Sequence, residues 1–264
     1  MISCLCITRG DRPGLLSEAV SDFVRQTFAD RELVILHDGD EAAHAGVGAI
    51  VAAHAGASIR IERTPPGPRL GELRNIAIER ARGEWICQWD DDDRYHPERL
   101  RLQWEHAQSE QAAVNYLVDQ LHWFRPDNTL FWDDWGAESY PMDIIQGTIL
   151  ARRDVMPPYP DIGRGEDTLQ THALFRAEAS KAFRISRLRG MGWCYIYRYH
   201  GSNAWHAAHH RAISAAKHLT PPRLLPRLAQ LRDRLRDYRP QLPSMRTHLG
   251  AGTGYVTLGG TDYA

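Results

Sequence analysis

The sequence predicts an α/β fold in which a mainly parallel central sheet is flanked by helices. Three observations carry that expectation. Short apolar runs alternate with helix-spaced segments through the first 110 residues. Each run stops at a polar or Gly/Pro-rich loop. The chain has 264 residues and is 43% hydrophobic, which suits one large domain, alone or with a short extension.

The elements follow in order. Ser3–Thr8 is an apolar run that ends at Arg9-Gly10-Asp11, and Leu15, Leu16, Ala19, Val20 and Phe23 then repeat with helical spacing. Glu32–His37 is the second strand, stopped by Asp38-Gly39-Asp40, and residues 43–54 form a helix. Ser58–Arg63 is a short strand before Thr64-Pro65-Pro66-Gly67-Pro68. Residues 71–82 are helical, with Gly83 as a C-terminal stop. Glu84–Trp89 is the next strand, and a helix opens at Pro97 and runs to Glu110. The second half is less regular. Residues 113–119 and 122–125 read as a strand pair, and Phe131–Tyr140 as a loop rich in Trp, Asp and Tyr. Strands follow at 147–151, 182–187 and 193–199, with a helix at 166–178. Residues 224–238 form an Arg/Leu amphipathic helix, and Thr247–Ala264 is a Gly/Thr-rich, loosely held tail. No internal repeat is present. Parallel sheets of this kind bind ligands beyond the carboxyl ends of their strands. That rule selects four loops: 8–13, 37–40, 64–70 and 90–93.

Composition excludes several classes. A formal net charge of −1 argues against an electrostatic grip on nucleic acid. No apolar run approaches the roughly 20 residues that cross a bilayer, so no transmembrane segment is expected. Met1–Thr8 has no basic region or small-residue cleavage site and reads as a first strand. Cys4, Cys6, Cys87 and Cys194 read as buried free thiols, which suits a cytoplasmic protein.

Asp90-Asp91-Asp92-Asp93 is the most informative segment. Adjacent carboxylates repel one another unless something cationic offsets them. A divalent metal carrying a diphosphate meets that need, and Mg²⁺ or Mn²⁺ takes one or two carboxylates plus phosphate oxygens. At a strand end, side chains alternate, so Asp90 and Asp92 would face one way and Asp91 the other. The bland alternative is an acidic helix N-terminus before Pro97, which accounts for one or two acids but poorly for four.

With the acidic run in place, the chain resembles a family 2 glycosyltransferase of the GT-A fold. Ile7-Thr8 with Arg12-Pro13 is similar to that family's opening strand and loop. Gln26-Thr27-Phe28, Glu32-Leu33-Val34-Ile35 and Asp38-Gly39-Asp40 follow its second motif. Gly71, Arg74-Asn75 and Ala81-Arg82-Gly83-Glu84-Trp85-Ile86 follow its third. Asp90–Asp93 resembles its D-x-D region, and Pro97-Glu98-Arg99-Leu100 comes next as it should. Gly165-Glu166-Asp167 resembles the acidic pair that supplies the base, and Tyr197–Asn203 a late Y-R-x-H-x-x-N segment. The likeness covers about residues 2–205. His37 stands where Asp is frequent, and Arg9-Gly10-Asp11 replaces the usual Tyr-Asn.

The resemblance implies a metal-dependent inverting enzyme. It would move a sugar from a nucleotide-diphospho-sugar, foremost a UDP-sugar, to an acceptor hydroxyl in bacterial glycan or polysaccharide synthesis. Thr8, Arg12, Asp38, Arg74, Asp90 and Asp91 would bind the donor nucleotide; Asp92 would bind Mn²⁺ or Mg²⁺, with His200 either a second metal ligand or an ordinary surface or packing residue at a strand end; Asp167 would be the general base. Trp132, Asp134, Gly147, Thr148 and Glu166 would line the acceptor and sugar pocket. The acceptor would be a glycan, a lipid-linked glycan or a small molecule. The implied organisation is a domain over 1–215, split at 110 into nucleotide and acceptor halves, and a C-terminal helix and tail over 216–264.

Several features keep two readings. Trp123, Trp132 and Trp135 with Phe124, Phe131 and Tyr140 suit either an acceptor surface or a core. His206 and His210 have the i, i+4 spacing of zinc ligands but lack the companion Glu, and so read as structural or as a solvated face. The 224–238 helix either packs on the domain or touches an anionic membrane. A nucleotidyltransferase and a non-catalytic sugar-nucleotide-binding module are the alternative functions. The first would want a Gly-rich, basic early loop, which residues 8–13 do not supply; the second would have no use for a base at Asp167.

Overall fold

The computed structural model describes residues 1–249 and 254–259. Its first half alternates β1 (Ile2–Ile7), α1 (Pro13–Val24), β2 (Arg31–His37), α2 (Glu41–Ala52), β3 (Ile59–Arg63), α3 (Leu70–Arg80) and β4 (Trp85–Gln88). There follow β5 (Arg94–Tyr95), α4 (Arg99–Ser109), β6 (Val114–Leu117), β7 (Asp119–Phe124), β8 (Thr129–Asp134) and β9 (Leu150–Arg152). The rest comprises α5 (Glu166–Ala179), β10 (Ile185–Leu188), β11 (Tyr195–Tyr199), α6 (Ala207–Lys217), α7 (Pro221–Leu224), α8 (Leu228–Leu235), β12 (Met245–His248) and β13 (Tyr255–Leu258).

The central sheet has seven strands in the order β10-β6-β9-β4-β1-β2-β3, and only β9 runs antiparallel to its neighbours. β1 and β2 are buried on both faces, which explains their unbroken apolar runs. Pro13 opens α1, and Leu15, Leu16, Ala19, Val20 and Phe23 turn inward as their spacing predicts. Asp40 caps α2, its carboxylate accepting the Ala43 N–H at 2.9 Å. All four cysteines are buried free thiols, and Cys4 lies beside Cys87 across β1 and β4.

Two glycines act by allowing close approach. Gly83 does not stop a helix, since α3 ends at Arg80; a Cβ there would meet Ser3 Oγ at 2.7 Å and the Met1 carbonyl at 2.8 Å. Gly71 is tighter still: a Cβ would sit 1.9 Å from the Pro160 carbonyl oxygen, and its N–H donates to the Ile162 carbonyl at 3.1 Å. That contact fixes the segment leading into α5. Gly71→Ala must therefore push backbone, and a loss of roughly 1–3 kcal/mol is expected in denaturant unfolding.

A second sheet has six strands in the order β13-β12-β8-β7-β11-β5. It corrects the expected pairing of 113–119 with 122–125. β6 stays in the central sheet beside β9 and β10, whereas β7 pairs with β8 and β11. The chain changes sheets at Val118. Phe131–Asp134 is likewise strand β8, not loop.

The expected 224–238 helix is broken. α7 runs into a 3-10 turn at Leu225–Arg227, because Pro226 has no N–H to continue the ladder, and α8 closes at Leu235. Leu224, Leu228, Leu231, Leu235 and Tyr238 are buried, and Arg227 and Arg234 lie over the Trp132 and Trp193 rings at 5.4 and 4.4 Å. The packing reading of this segment holds. The C-terminal extension is not solely helical, because the β12–β13 hairpin joins the second sheet beside β8. Within the expected loose tail, residues 250–253 and 260–264 lie outside the described residues. No helix among the described residues is long and apolar enough to cross a membrane.

Candidate active site

A cavity of about 1160 Å³ opens beyond the carboxyl ends of β1, β2 and β4. All four loops selected from the sequence reach it: Thr8 and Arg12, Asp38, Pro68 to Leu70, and Asp90 to Asp93. Gly147, Glu166 and Asp167 complete the other wall.

β4 ends at Gln88, so the acidic run is a turn and strand alternation does not sort its side chains. Hydrogen bonds sort them instead. Thr8 Oγ1 donates to Asp91 Oδ2 at 2.5 Å. The Arg12 guanidinium spans Asp91 Oδ1 at 2.7 Å and Asp92 Oδ2 at 2.6 Å. His200 Nε2 lies 3.1 Å from Asp92 Oδ2 and 3.0 Å from Arg12 Nη1. Asp90 takes Gln88 Nε2 at 2.7 Å and Arg74 Nη2 at 3.4 Å. Asp93 is a structural anchor: it accepts Tyr195 Oη–H at 2.5 Å and the Arg198 N–H at 2.9 Å. Arg198 also donates from Nε to the Asp92 carbonyl at 2.6 Å and pairs with Glu18. The cations paired with the run's carboxylates are thus two arginines, Arg12 from the loop after β1 and Arg74 from α3.

Electrostatics follow from this arrangement. Burial pushes the Asp91 carboxyl up to about 6, and the adjacent Asp92 charge adds to the push. Burial works to raise Asp92 too, but the His200 hydrogen bond and the Arg12 charge outweigh it, and Asp92 sits below its usual value. Beside the second sheet, burial lowers His96, just after β5, and His210, on α6, to about 4 each. Their folded values lie below the unfolded value near 6.5, so the stability they contribute is present above that pH and lost as pH falls toward 4. Asp91 acts oppositely below pH 6. The histidine effect is therefore read as a difference: His210→Gln is expected to lose less stability than wild type between pH 7 and 4.5, by up to about 3 kcal/mol in urea unfolding.

Arg74 lines the cleft, largely buried beside Asp90, and donates from Nε to Glu166 Oε1 at 3.0 Å. Glu166 is therefore a partner of Arg74, placed at the cleft wall by the first turn of α5. The helix is capped by Gly165 in a left-handed conformation (φ 77°), and Asp167 follows in the first turn. Among the described residues, Asp167 Oδ1 accepts only from Thr168, through its N–H at 2.7 Å and Oγ1 at 3.5 Å. Asp167 makes no ion pair among the described residues.

Three expected pocket residues lie elsewhere. The pairing of β7 with β8 sets Trp132 opposite Leu121 and Asp133 opposite Gln120. Gln120 and His122 line the cleft, so Trp132 points to the far face, where its Nε1–H donates to Asp119 at 2.7 Å. Asp134 shares that far face and pairs with Arg223. Thr148 is fully buried, its hydroxyl donating to the Ile145 carbonyl at 2.6 Å. His37 is also buried, against His44 at 3.0 Å. In the late histidine group, His206 caps α6 and His210 packs against Tyr197 and His122. No cluster of three or more His, Cys, Asp or Glu suited to a metal occurs among the described residues.

The sequence reading missed Trp205. It is 44% exposed at the cleft rim, stacked on His209 at 4.9 Å and with the Arg164 guanidinium over its ring at 4.9 Å. A tryptophan in the polar stretch after Asn203 was the available signal. Trp135, Tyr197 and Gln146 also line the cleft.

A parallel sheet with its cleft at the strand ends, an acidic turn on one wall and an unpaired carboxylate on the other define an α/β transferase of the GT-A fold. Residues 5–156, more than half of the chain, match the family described as Glycosyl transferase family 2. The chain belongs to that family and is a glycosyltransferase. The fold is similar to that of S. aureus TarS 1-349 in complex with UDP-GlcNAc, with a TM-score of 0.57 and 15% identity over 90% of this chain and 67% of that one. It is similar also to the Pyrobaculum calidifontis mannosyltransferase PcManGT in complex with GDP-Man and Mn²⁺, with a TM-score of 0.57 and 13% identity over 82% of this chain and 62% of that one. Against a longer TarS structure the match is 17% identical with a TM-score of 0.55, and covers 81% of this chain but only 42% of TarS. No curated protein matches the sequence.

Proposed function

We propose that the protein is a metal-dependent, inverting glycosyltransferase that moves a sugar from a nucleotide diphosphate donor to an acceptor hydroxyl. Residues 1–110 would hold the nucleotide and 111–215 the acceptor. The observation that carries the reading is Asp167, an unpaired carboxylate across the cleft from the acidic turn. That is the placement a base needs to take a proton from a hydroxyl attacking the far side of a sugar whose diphosphate lies against Asp90–Asp92. Attack from that side inverts the anomeric carbon. Thr8, Asp38 and Asp91 would position the nucleoside, while Arg12 and Arg74 would meet diphosphate oxygens.

The donor set fits Mn²⁺ or Mg²⁺. Asp92 Oδ2 and His200 Nε2 converge within 3.1 Å, and two protein ligands suit an ion that takes its remaining oxygens from phosphate and water. When bound, the ion would stabilise the charge that develops on the leaving diphosphate. The complexes of TarS with UDP-GlcNAc and of PcManGT with GDP-Man and Mn²⁺ support a sugar-nucleotide donor, and leave uridine and guanosine as the bases to compare.

Calorimetric titration with UDP, GDP, CDP and dTDP, with and without Mn²⁺, tests the reading. One nucleotide should bind at least about 10-fold more tightly with Mn²⁺, and Asp92→Ala should remove that gain. Metal-independent binding, or none, would overturn it. NMR of the product from the matching sugar nucleotide then reports the anomeric configuration.

A further inference from the structure

The two side chains best placed to hold a metal already hold a cation. Arg12 Nη1 sits 2.6 Å from Asp92 Oδ2 and 3.0 Å from His200 Nε2, while Nη2 sits 2.7 Å from Asp91 Oδ1. An ion bonded to Asp92 and His200 at about 2.0–2.2 Å would lie within the space this guanidinium fills, two positive charges in near contact. Arg12 and the ion cannot share those ligands in this arrangement.

We propose that Arg12 is an exchangeable counter-cation: it holds Asp91, Asp92 and His200 together until a divalent ion arrives with a nucleotide diphosphate, and then transfers its guanidinium from the carboxylates to the diphosphate. The inference rests on the donor and metal reading of this cleft. The arginines differ in their freedom to do this. Arg74 is buried, tied to Glu166 and set 5.7 Å over the Tyr159 ring, so it stays where it is. Arg12 has a side chain 27% exposed and precedes Pro13 in the loop between β1 and α1, so rotation about its own side-chain bonds carries the charge into the open cleft. A metal alone would have to expel Arg12 from Asp92 and His200, leaving the guanidinium only Asp91 and the exposed Asp11, 3.8 Å from its Nε. A nucleotide alone would meet carboxylates whose cation is already committed. Together they provide both a replacement cation and a new partner for the guanidinium, which makes their binding cooperative. Arg12 is a positioning residue in this scheme; it couples two ligands and takes no proton.

The test is a binding cycle on the full chain, read without turnover. Mn²⁺ affinity is measured by calorimetry and by the electron-paramagnetic-resonance signal of free Mn²⁺, with and without the nucleotide the protein selects, for wild type and for Arg12→Met and Arg12→Lys. Without nucleotide, Arg12→Met should bind Mn²⁺ at least about 10-fold more tightly than wild type, and its Mn²⁺–nucleotide coupling should shrink by a similar factor. Arg12→Lys should fall between, since an ammonium cannot span both carboxylates as the guanidinium does. In wild type, the Arg12 Nε–H resonance should move when Mg²⁺ and nucleotide are added together and stay when Mg²⁺ is added alone, which needs no variant to fold. If Arg12→Met binds Mn²⁺ no more tightly than wild type and couples it equally, the exchange is wrong while the donor reading survives. If wild type binds no Mn²⁺ with any nucleotide, both fall.

Discussion

Asp167→Asn is expected to lower kcat for sugar transfer by roughly 10²–10⁴-fold while nucleotide affinity stays nearly constant. The amide keeps the shape and the hydrogen bond to the helix terminus but cannot accept a proton. Asp167 makes no ion pair with Arg12 or Arg74 among the described residues, and those arginines keep Asp91 and Glu166 as partners when it is replaced. Glu166→Gln is the informative companion. It removes the anion that Arg74 Nε contacts at 3.0 Å, and should change nucleotide binding as well as rate. Steady-state kinetics on the matching sugar nucleotide, together with calorimetry on the free nucleotide, separate the two. Comparable activity in Asp167→Asn would move the base elsewhere.

The largest expected stability effect lies behind the cleft. Arg94 Nε donates to Asp22 Oδ2 at 2.7 Å, and both side chains are at most 1% exposed. Asp22 also accepts from Arg94 Nη2 at 3.2 Å and from the Tyr95 N–H at 2.9 Å. Arg94→Met would strand a buried carboxylate between α1 and β5, at a cost of about 3–5 kcal/mol. For a chain of this size that corresponds to a fall in Tm of roughly 6–20 °C. Arg94→Met combined with Asp22→Leu should recover much of the loss, since a buried pair replaced by packed apolar groups is often neutral. Thermal unfolding of the single and double variants checks both statements, and an unchanged Tm in Arg94→Met would mean water reaches Asp22.

The first half of the fold was legible because each strand there is a buried run and each helix shows one apolar stripe. β1, α1, β2 and α2 fall within a few residues of where their patterns put them. The acidic turn was legible for an electrostatic reason, namely that four carboxylates in a row must be compensated. The second sheet was not. Its edge strand β5 is two residues long, and β12 comes to β8 from more than a hundred residues away, so no local period announces either. Trp132 bears the consequence: an aromatic side chain there suited a sugar surface, but a register set by β7 turned it to the far face. The partners of the acidic run were hidden in the same way. A sequence shows that Asp92 needs a cation, and only the fold shows that Arg12 is the one present.

Asp93 is held by Tyr195 and Arg198, which lie 102 and 105 positions further along the chain. During synthesis, the acidic turn leaves the ribosome roughly 5–20 s before the segment that anchors it. A nascent or truncated chain that stops short of β11 would still hold Asp90 and Asp91 through Gln88, Arg74, Thr8 and Arg12, but would leave Asp93 unanchored and Asp92 without His200. Such a fragment should be unable to consume activated sugar, so competence for transfer arrives only when the late strand docks.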